Sequence, residues 1–217
     1  MSVKFIEYWD LQPLVEEKFA KYLTREWIPG MNGLGITILA VWKVLVGTCP
    51  RFVSEGVSDD ISQLKDALGD ERHSQLNEGL FRWAEHYSSR VMVPTGLVPT
   101  LIGEPKHKAV KLNQLWDTRY VQKESFSPFL TEEFVPALEE MGLVIGGHWK
   151  TLIGPAPNEK LEGRANSLEE VSAVLNNPTF LKLRAKLQDY VVHYESQILK
   201  LKVVRIIGRA AVTYEYL

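Results

Sequence analysis

A single cysteine, Cys49, in 217 residues excludes a disulfide within the chain and suits a reducing compartment. Charge of one sign is not in excess either. Twenty-five basic residues face 27 acidic ones, a net charge of −2, so nothing supplies the cationic stripe that a phosphate backbone needs and no nucleic-acid partner is expected. Long hydrophobic runs are missing: the longest, residues 34–41, is soon interrupted by Lys43 and is too short to cross a bilayer, so no membrane partner is expected. Residues 1–10 lack a basic start followed by an apolar stretch, which removes the signature of a signal peptide and leads to the expectation of a cytoplasmic protein. His-x-x-x-His and Cys-x-x-Cys spacings do not occur, so no metal site is expected. The glycines of residues 30–35 lack the strand–turn–helix setting of a phosphate loop.

What is present is a repeat. Residues 35–56 carry Trp42-Lys43, a Gly-x-x-Pro turn at Gly47 and Glu55-Gly56, and residues 142–163 repeat all three, 107 positions later, as Trp149-Lys150, Gly154 and Glu162-Gly163. The same offset matches Trp9-Asp10 with Trp116-Asp117, Phe19 with Phe126, Pro29 with Pro136 and His86-Tyr87 with His193-Tyr194. About two dozen identities share it, where chance would give roughly one position in seventeen. The chain is a tandem duplication: a first repeat at 1–102, a linker at 103–109 and a second repeat at 110–217.

Each copy reads βαββαβ. In the first, strands are predicted at 3–9, 36–46, 52–57 and 92–101, the last broken by Pro94 and Pro99. One helix opens at Pro13, carries Leu14, Phe19, Leu23 and Trp27 on one face, and ends near Pro29-Gly30. A second, capped within Ser58-Asp59-Asp60, breaks near Gly69-Asp70 and continues through Leu76, Leu80, Trp83 and Tyr87 to about Arg90. In the second copy, strands are predicted at 110–120, 143–153, 159–164 and 201–207. Its helices span 128–141 and, from a cap near Ser167 through Leu183, Leu187, Tyr190 and Tyr194, about 167–197. Residues 212–216 form a short tail that adds an edge contact. The fold class is α+β, with two ferredoxin-like repeats. Each sheet bears helices on one face only, so the two bare faces can close on each other as a barrel.

Alternation along the second strands divides them into two faces. Ile36, Ile38, Ala40, Trp42, Val44 and Val46 suit packing under helices. The other face, with Lys43, Gly146, His148 and Lys150, suits the barrel interior or its mouth, an assignment that a one-residue slip would invert. His148 stands where the first copy has Val41, beside Gly146-Gly147, so it is the candidate general base. Lys150 and Lys43 are candidate stabilisers of a developing negative charge, with Glu55 and Glu162 as their alternative partners across the hairpin. His86 and His193, each followed by tyrosine (Tyr87, Tyr194) near a predicted helix end, are candidate ligand-binding groups. Because both copies hold them, a shared structural role at the helix C-terminus is preferred. Trp42 and Trp149 are candidate ligand contacts but suit packing better. Cys49 and its counterpart Ala156 read as small turn residues, and His73 and His107 as surface residues.

The repeat order, the hairpin placement and the Asn-Pro-Thr-Phe180 helix break resemble the dimeric α+β barrel superfamily, and within it NIPSNAP-like proteins with two such repeats. That resemblance implies an intramolecular, pseudo-dimeric barrel. It implies binding of a small apolar or aromatic molecule, leaves a homodimer open, and spans several chemistries: cofactor-free monooxygenases, polyketide cyclases, isomerases and haem-binding relatives. The leading expectation is a small-molecule-binding barrel, with cofactor-independent acid/base chemistry on an aromatic or polyketide-like compound if it is an enzyme. The alternatives are a haem barrel with His193 or His148 as axial ligand, and a non-catalytic interaction protein whose barrel is filled by side chains.

Overall fold

A computed structural model describes the chain apart from Cys49, Glu104, His107, residues 207–212 and Leu217, and only the backbone of Lys123, Arg205, Ile206 and Thr213–Tyr216. The expectations for Cys49 and His107, and those for the ends of the last strand and the tail at Ile207 and Val212, fall outside the described residues.

The first repeat runs β1 (Val3–Leu11), α1 (Glu16–Tyr22), a π-helical turn (Leu23–Trp27), α2 (Ile28–Gly33), β2 (Thr37–Val46), β3 (Phe52–Ser58), α3 (Ile61–Gly69), α4 (Glu71–Phe81) and β4 (Ala84–Pro94). The second runs β5 (Val110–Thr118), a 3-10 turn (Tyr120–Gln122), α5 (Lys123–Pro128), a π turn (Phe129–Phe134), α6 (Val135–Glu140), β6 (Val144–Ile153), β7 (Glu159–Ala165), α7 (Leu168–Leu175), α8 (Pro178–Tyr190) and β8 (Val191–Ile206). A short β9 (Thr213–Tyr216) pairs with β8. Side-chain caps fall where the sequence places them. Asp60 accepts from the Gln63 amide at 2.9 Å, and Ser167 from the Glu170 amide at 3.2 Å. Helix does not stop at Pro29, because Pro29 and Pro136 enter at the first turn of α2 and α6, where the proline's missing N–H is not needed, just after a π turn.

Strand order is β2-β3-β1-β4-β6-β7-β5-β8, and β8 pairs back onto β2, so the sheet closes into a barrel with the helices outside. The two seams repeat at the offset of 107. Val91 pairs with Ile153 where β4 meets β6, and Ile198 with Val46 where β8 meets β2. Tight turns between β2 and β3, and between β6 and β7, rest on glycine. At Gly154, φ is +131° and a Cβ would lie 2.9 Å from the Ser89 carbonyl oxygen.

Two sequence expectations are corrected. First, β4 and β8 begin at Ala84 and Val191, so His86, Tyr87, His193 and Tyr194 belong to strands and not to helix ends. The helical stripe stops at Leu80 in the first copy and at Tyr190 in the second. Pairing with β1 and β5 supplies backbone partners that outweigh the helical spacing of the apolar side chains. Second, the faces of the second strands are inverted. Ile38 pairs with Gly56 and Ala40 with Glu55, so Leu39 is a one-residue bulge, and Gly146 is its counterpart between Ile145 and Gly147. Beyond each bulge the alternation flips. Ala40, Trp42 and Trp149 turn inward, whereas Val41 joins the core under the helices and His148 stacks on aromatic residues of that layer.

Candidate functional site

The barrel axis is filled. Ile6, Tyr8, Trp42, Val53, Met92, Trp149, Leu199 and Leu201 meet there as one buried cluster. Among them lie three lysines and two glutamates that are almost wholly buried. Lys4 on β1 and Lys111 on β5 are counterparts, as are Glu55 on β3 and Glu162 on β7. Each lysine reaches into the other copy: Lys4 Nζ to Glu162 Oε2 at 2.6 Å, and Lys111 Nζ to both Glu55 oxygens at 2.5 and 2.6 Å. Lys160, where the first copy has Val53, adds a third cation 2.6 Å from Glu162 Oε1. Trp149 lies under Lys4 at 4.0 Å and Trp42 under Lys111 at 5.0 Å, and the Trp42 indole N–H donates to Glu55 at 3.0 Å.

With three cations to two anions, the titration is uneven. Burial pulls the Lys4 ammonium down to about 8, against the attraction of Glu162 and Glu55. Burial pushes the Glu55 and Glu162 carboxyls up, yet the lysines, Lys111 first, hold both below the usual carboxylate range. This network is a buried polar contact between the two repeats, enclosed by the two strand seams. It leaves Trp42 and Trp149 as packing and cation-facing groups on the barrel axis.

His148 lies elsewhere, in the layer between the sheet and the helices of the second repeat. Its ring stacks on Trp116 at 5.6 Å and faces Phe126 at 6.4 Å, and it is buried. Nδ1 is 2.9 Å from Thr95 Oγ1, and Nε2 is 3.2 Å from Glu159 Oε2. Glu159 also accepts from the Trp116 indole N–H at 3.2 Å. Burial raises the Glu159 carboxyl, but the contact with His148 outweighs it and the carboxyl ends below the usual range. Lys150, exposed, shares this outer face and pairs in the ladder with Glu159. Lys43 is on the same face of the first repeat, 6.0 Å over Phe52, and the structure does not bring it to His148. In the first copy apolar residues stand at these positions: Val41 and Phe52 replace His148 and Glu159, and they line a narrow, largely apolar crevice of about 20 Å³ with Phe19, Leu23 and Val203, with Glu16 and Lys202 on its lining as well.

His86 and His193 form matched bulges. Each adopts a left-handed backbone (φ +52° and +53°), the register slips one residue there, and Nδ1 contacts Asp10 or Asp117 at 3.0 and 2.8 Å. The same aspartates accept the Arg51 and Asn158 amides, which ties the bulge to the hairpin turn. Both imidazoles are mostly exposed. Tyr87 and Tyr194 point under the helices, their hydroxyls donating to Glu7 at 2.8 Å and Gln114 at 3.0 Å. Glu7 has no exposure, and burial raises its carboxyl to about 8, although the Tyr87 hydrogen bond opposes the shift. Sequence reading missed Glu7, Glu159, Thr95 and the lysines Lys4, Lys111 and Lys160. Lys4 and Lys111 share the offset of 107 and were findable from it; Lys160 shows as a polar residue at a strand position where the other copy is apolar.

Among the described residues no helix is long and apolar enough to cross a membrane, and no cluster of three metal-ligating side chains occurs. No family model matches the chain and no curated protein matches its sequence. Solved structures do. A protein from Lactobacillus acidophilus, assigned provisionally as a monooxygenase, matches at a TM-score of 0.63 with 12% identity over 100% of this chain and 99% of its own. An anthrone oxidase-like protein matches at 0.63 with 9% identity over 97% and 94%. The chlorite dismutase of Candidatus Nitrospira defluvii matches at 0.59 with 10% identity over 93% and 91%. The chain has the dimeric α+β barrel fold that these proteins share, with both halves in one polypeptide.

Proposed function

We propose that this chain is a small-molecule-binding α+β barrel protein that carries out cofactor-independent acid/base chemistry on an aromatic or polyketide-like compound. The reaction would be an oxygenation, cyclisation or isomerisation that begins with removal of a proton. The observation that carries the reading is the Thr95–His148–Glu159 chain, present in one repeat only, with His148 buried under the helices and its two partners half-buried. The Glu159 carboxylate faces Nε2 and favours the tautomer with its proton there, which leaves Nδ1 as the basic nitrogen. The Thr95 hydroxyl occupies the place that an acidic O–H or C–H of the substrate takes. The proton moves to Nδ1, and the imidazolium so formed is stabilised by Glu159. Lys150, at the open end of the same face, favours the anion left on the substrate, and Trp116 and Phe126 supply the aromatic wall.

The likeness to an anthrone oxidase-like protein supports an aromatic substrate, and the likeness to a chlorite dismutase raises haem. The side chains here do not fit a haem. His148 has Nδ1 held by Thr95, Nε2 lying 3.2 Å from the Glu159 carboxylate and its ring face covered by Trp116, while the His193 imidazole lies in an exposed bulge with Nδ1 held by Asp117.

The test is consumption of a panel of hydroxylated anthrones and naphthols, with and without oxygen. Substituting His148→Gln should lower kcat/KM by roughly 10²- to 10⁴-fold. Full activity in that variant would end the assignment.

A further inference from the structure

The layer between sheet and helices in the first repeat contains four buried polar atoms without a partner: Glu7 Oε2, Ser54 Oγ, and the Nε1 of Trp9 and Trp27. They are neighbours. Glu7 and Ser54 are ladder partners on adjacent strands, Trp9 follows Glu7 by two on the same face, and the Trp9 and Trp27 rings meet edge to face at 6.1 Å. Trp27 closes the π turn of residues Leu23–Trp27, a helix irregularity that is frequent at functional sites. The second copy removes every one of these orphans. Gln114, whose Oε1 accepts from Tyr194, stands for Glu7, Leu161 for Ser54 and Phe134 for Trp27, while Trp116 donates its N–H to Glu159. Buried unpaired polar groups are expensive, and the second copy shows that this fold closes without them.

We propose that the first repeat holds a second, separate binding site, between sheet and helices, for a small neutral aromatic ketone or quinone whose oxygen is received by the Trp9 and Trp27 N–H groups, Ser54 and Glu7. Indole N–H groups only donate, so the ligand must accept. Glu7 is protonated at neutral pH and can therefore donate as well, with Tyr87 holding its other oxygen. Phe19, packed on Trp9 at 6.0 Å, gives the ring an aromatic wall beside the largely apolar crevice of about 20 Å³. That volume is smaller than an aromatic ring, so binding parts the helix layer from the sheet. The inference does not rest on His148, which belongs to the other repeat.

The test uses the full chain with ¹⁵N-labelled tryptophan, titrated with 1-tetralone and with tetralin, the same skeleton without oxygen. Tetralone should shift the indole N–H signals of Trp9 and Trp27 and leave that of Trp116 in place, and tetralin should bind at least tenfold more weakly. The variant E7Q/S54L/W27F, which copies the second repeat, should keep its fold, melt at a higher temperature and lose tetralone binding tenfold or more. Equal binding of tetralin, a shift confined to Trp116, or water alone exchanging with these N–H groups while no probe binds would each overturn the proposal.

Discussion

The two repeats share strand order, bulges, π turns and the His–Asp ties, yet they differ where their helices cover the sheet. The first keeps unsatisfied polar groups around Glu7 and a largely apolar crevice at Val41 and Phe52. The second satisfies or removes the former and fills the latter with His148 and Glu159. Duplication leaves two equivalent places under selection for one fold, so each can lose or gain polar groups independently as long as the shared frame holds. What the copies conserve together is a buried polar contact between them: Lys4 with Glu162, Lys111 with Glu55, and the tryptophans beneath.

The comparison can be broken hardest at that contact. Glu162→Ala leaves Lys4, Lys111 and Lys160 with a single buried carboxylate, and should destabilise the chain by about 3–5 kcal/mol in urea unfolding. A loss below about 1 kcal/mol would mean that the repeats are not held by these ions. Next comes the asymmetry at Glu7. Its folded pKa, about 8, exceeds the ordinary 4.5, so between those values the folded chain keeps a proton that the unfolded chain releases. The contribution of Glu7 to stability therefore falls across that window as pH rises, by at most about 1.4 kcal/mol per pH unit. Glu7→Gln, the residue of the second copy, should flatten that slope, and denaturation at pH 5 and pH 7.5 measures it. Identical pH dependence in the variant would contradict the buried neutral acid.

Smaller effects sharpen the symmetry. His86→Ala and His193→Ala each lose an imidazole–aspartate contact at a left-handed position, and should cost about 1 kcal/mol apiece, equal within error because the geometry is the same. A clear inequality in melting temperature would show that one bulge has a role the other lacks. Smallest is Lys160→Val, which copies Val53 and leaves two cations with two anions. It should change stability by less than about 1 kcal/mol, in contrast to Glu162→Ala, as judged by the same unfolding curves.

Much of the frame was legible. Residues 107 apart adopt the same pairings, from Trp9 opposite Phe52 to Trp116 opposite Glu159, so the duplication foretold a pseudo-symmetric barrel. The site was less legible for two local reasons. Leu39 and Gly146 each insert one residue into a hairpin whose alternation otherwise reads without interruption, and this moves His148 and Lys150 from the expected interior to the outer face. Tyr87 and Tyr194 continue a helical stripe by spacing alone, although the chain has already turned into a strand.

The sequence by itself determined that there are two copies, the order of strands and helices in each, and which positions differ between them, because periodicity and internal identity are carried by the order of residues. Only the tertiary structure decided which side of each strand is the barrel axis, that the axis is closed by ions and tryptophans, and that His148 meets Glu159 and Thr95. Those facts depend on bulges and on ladders between distant segments, where a slip of one residue exchanges the two faces of a strand.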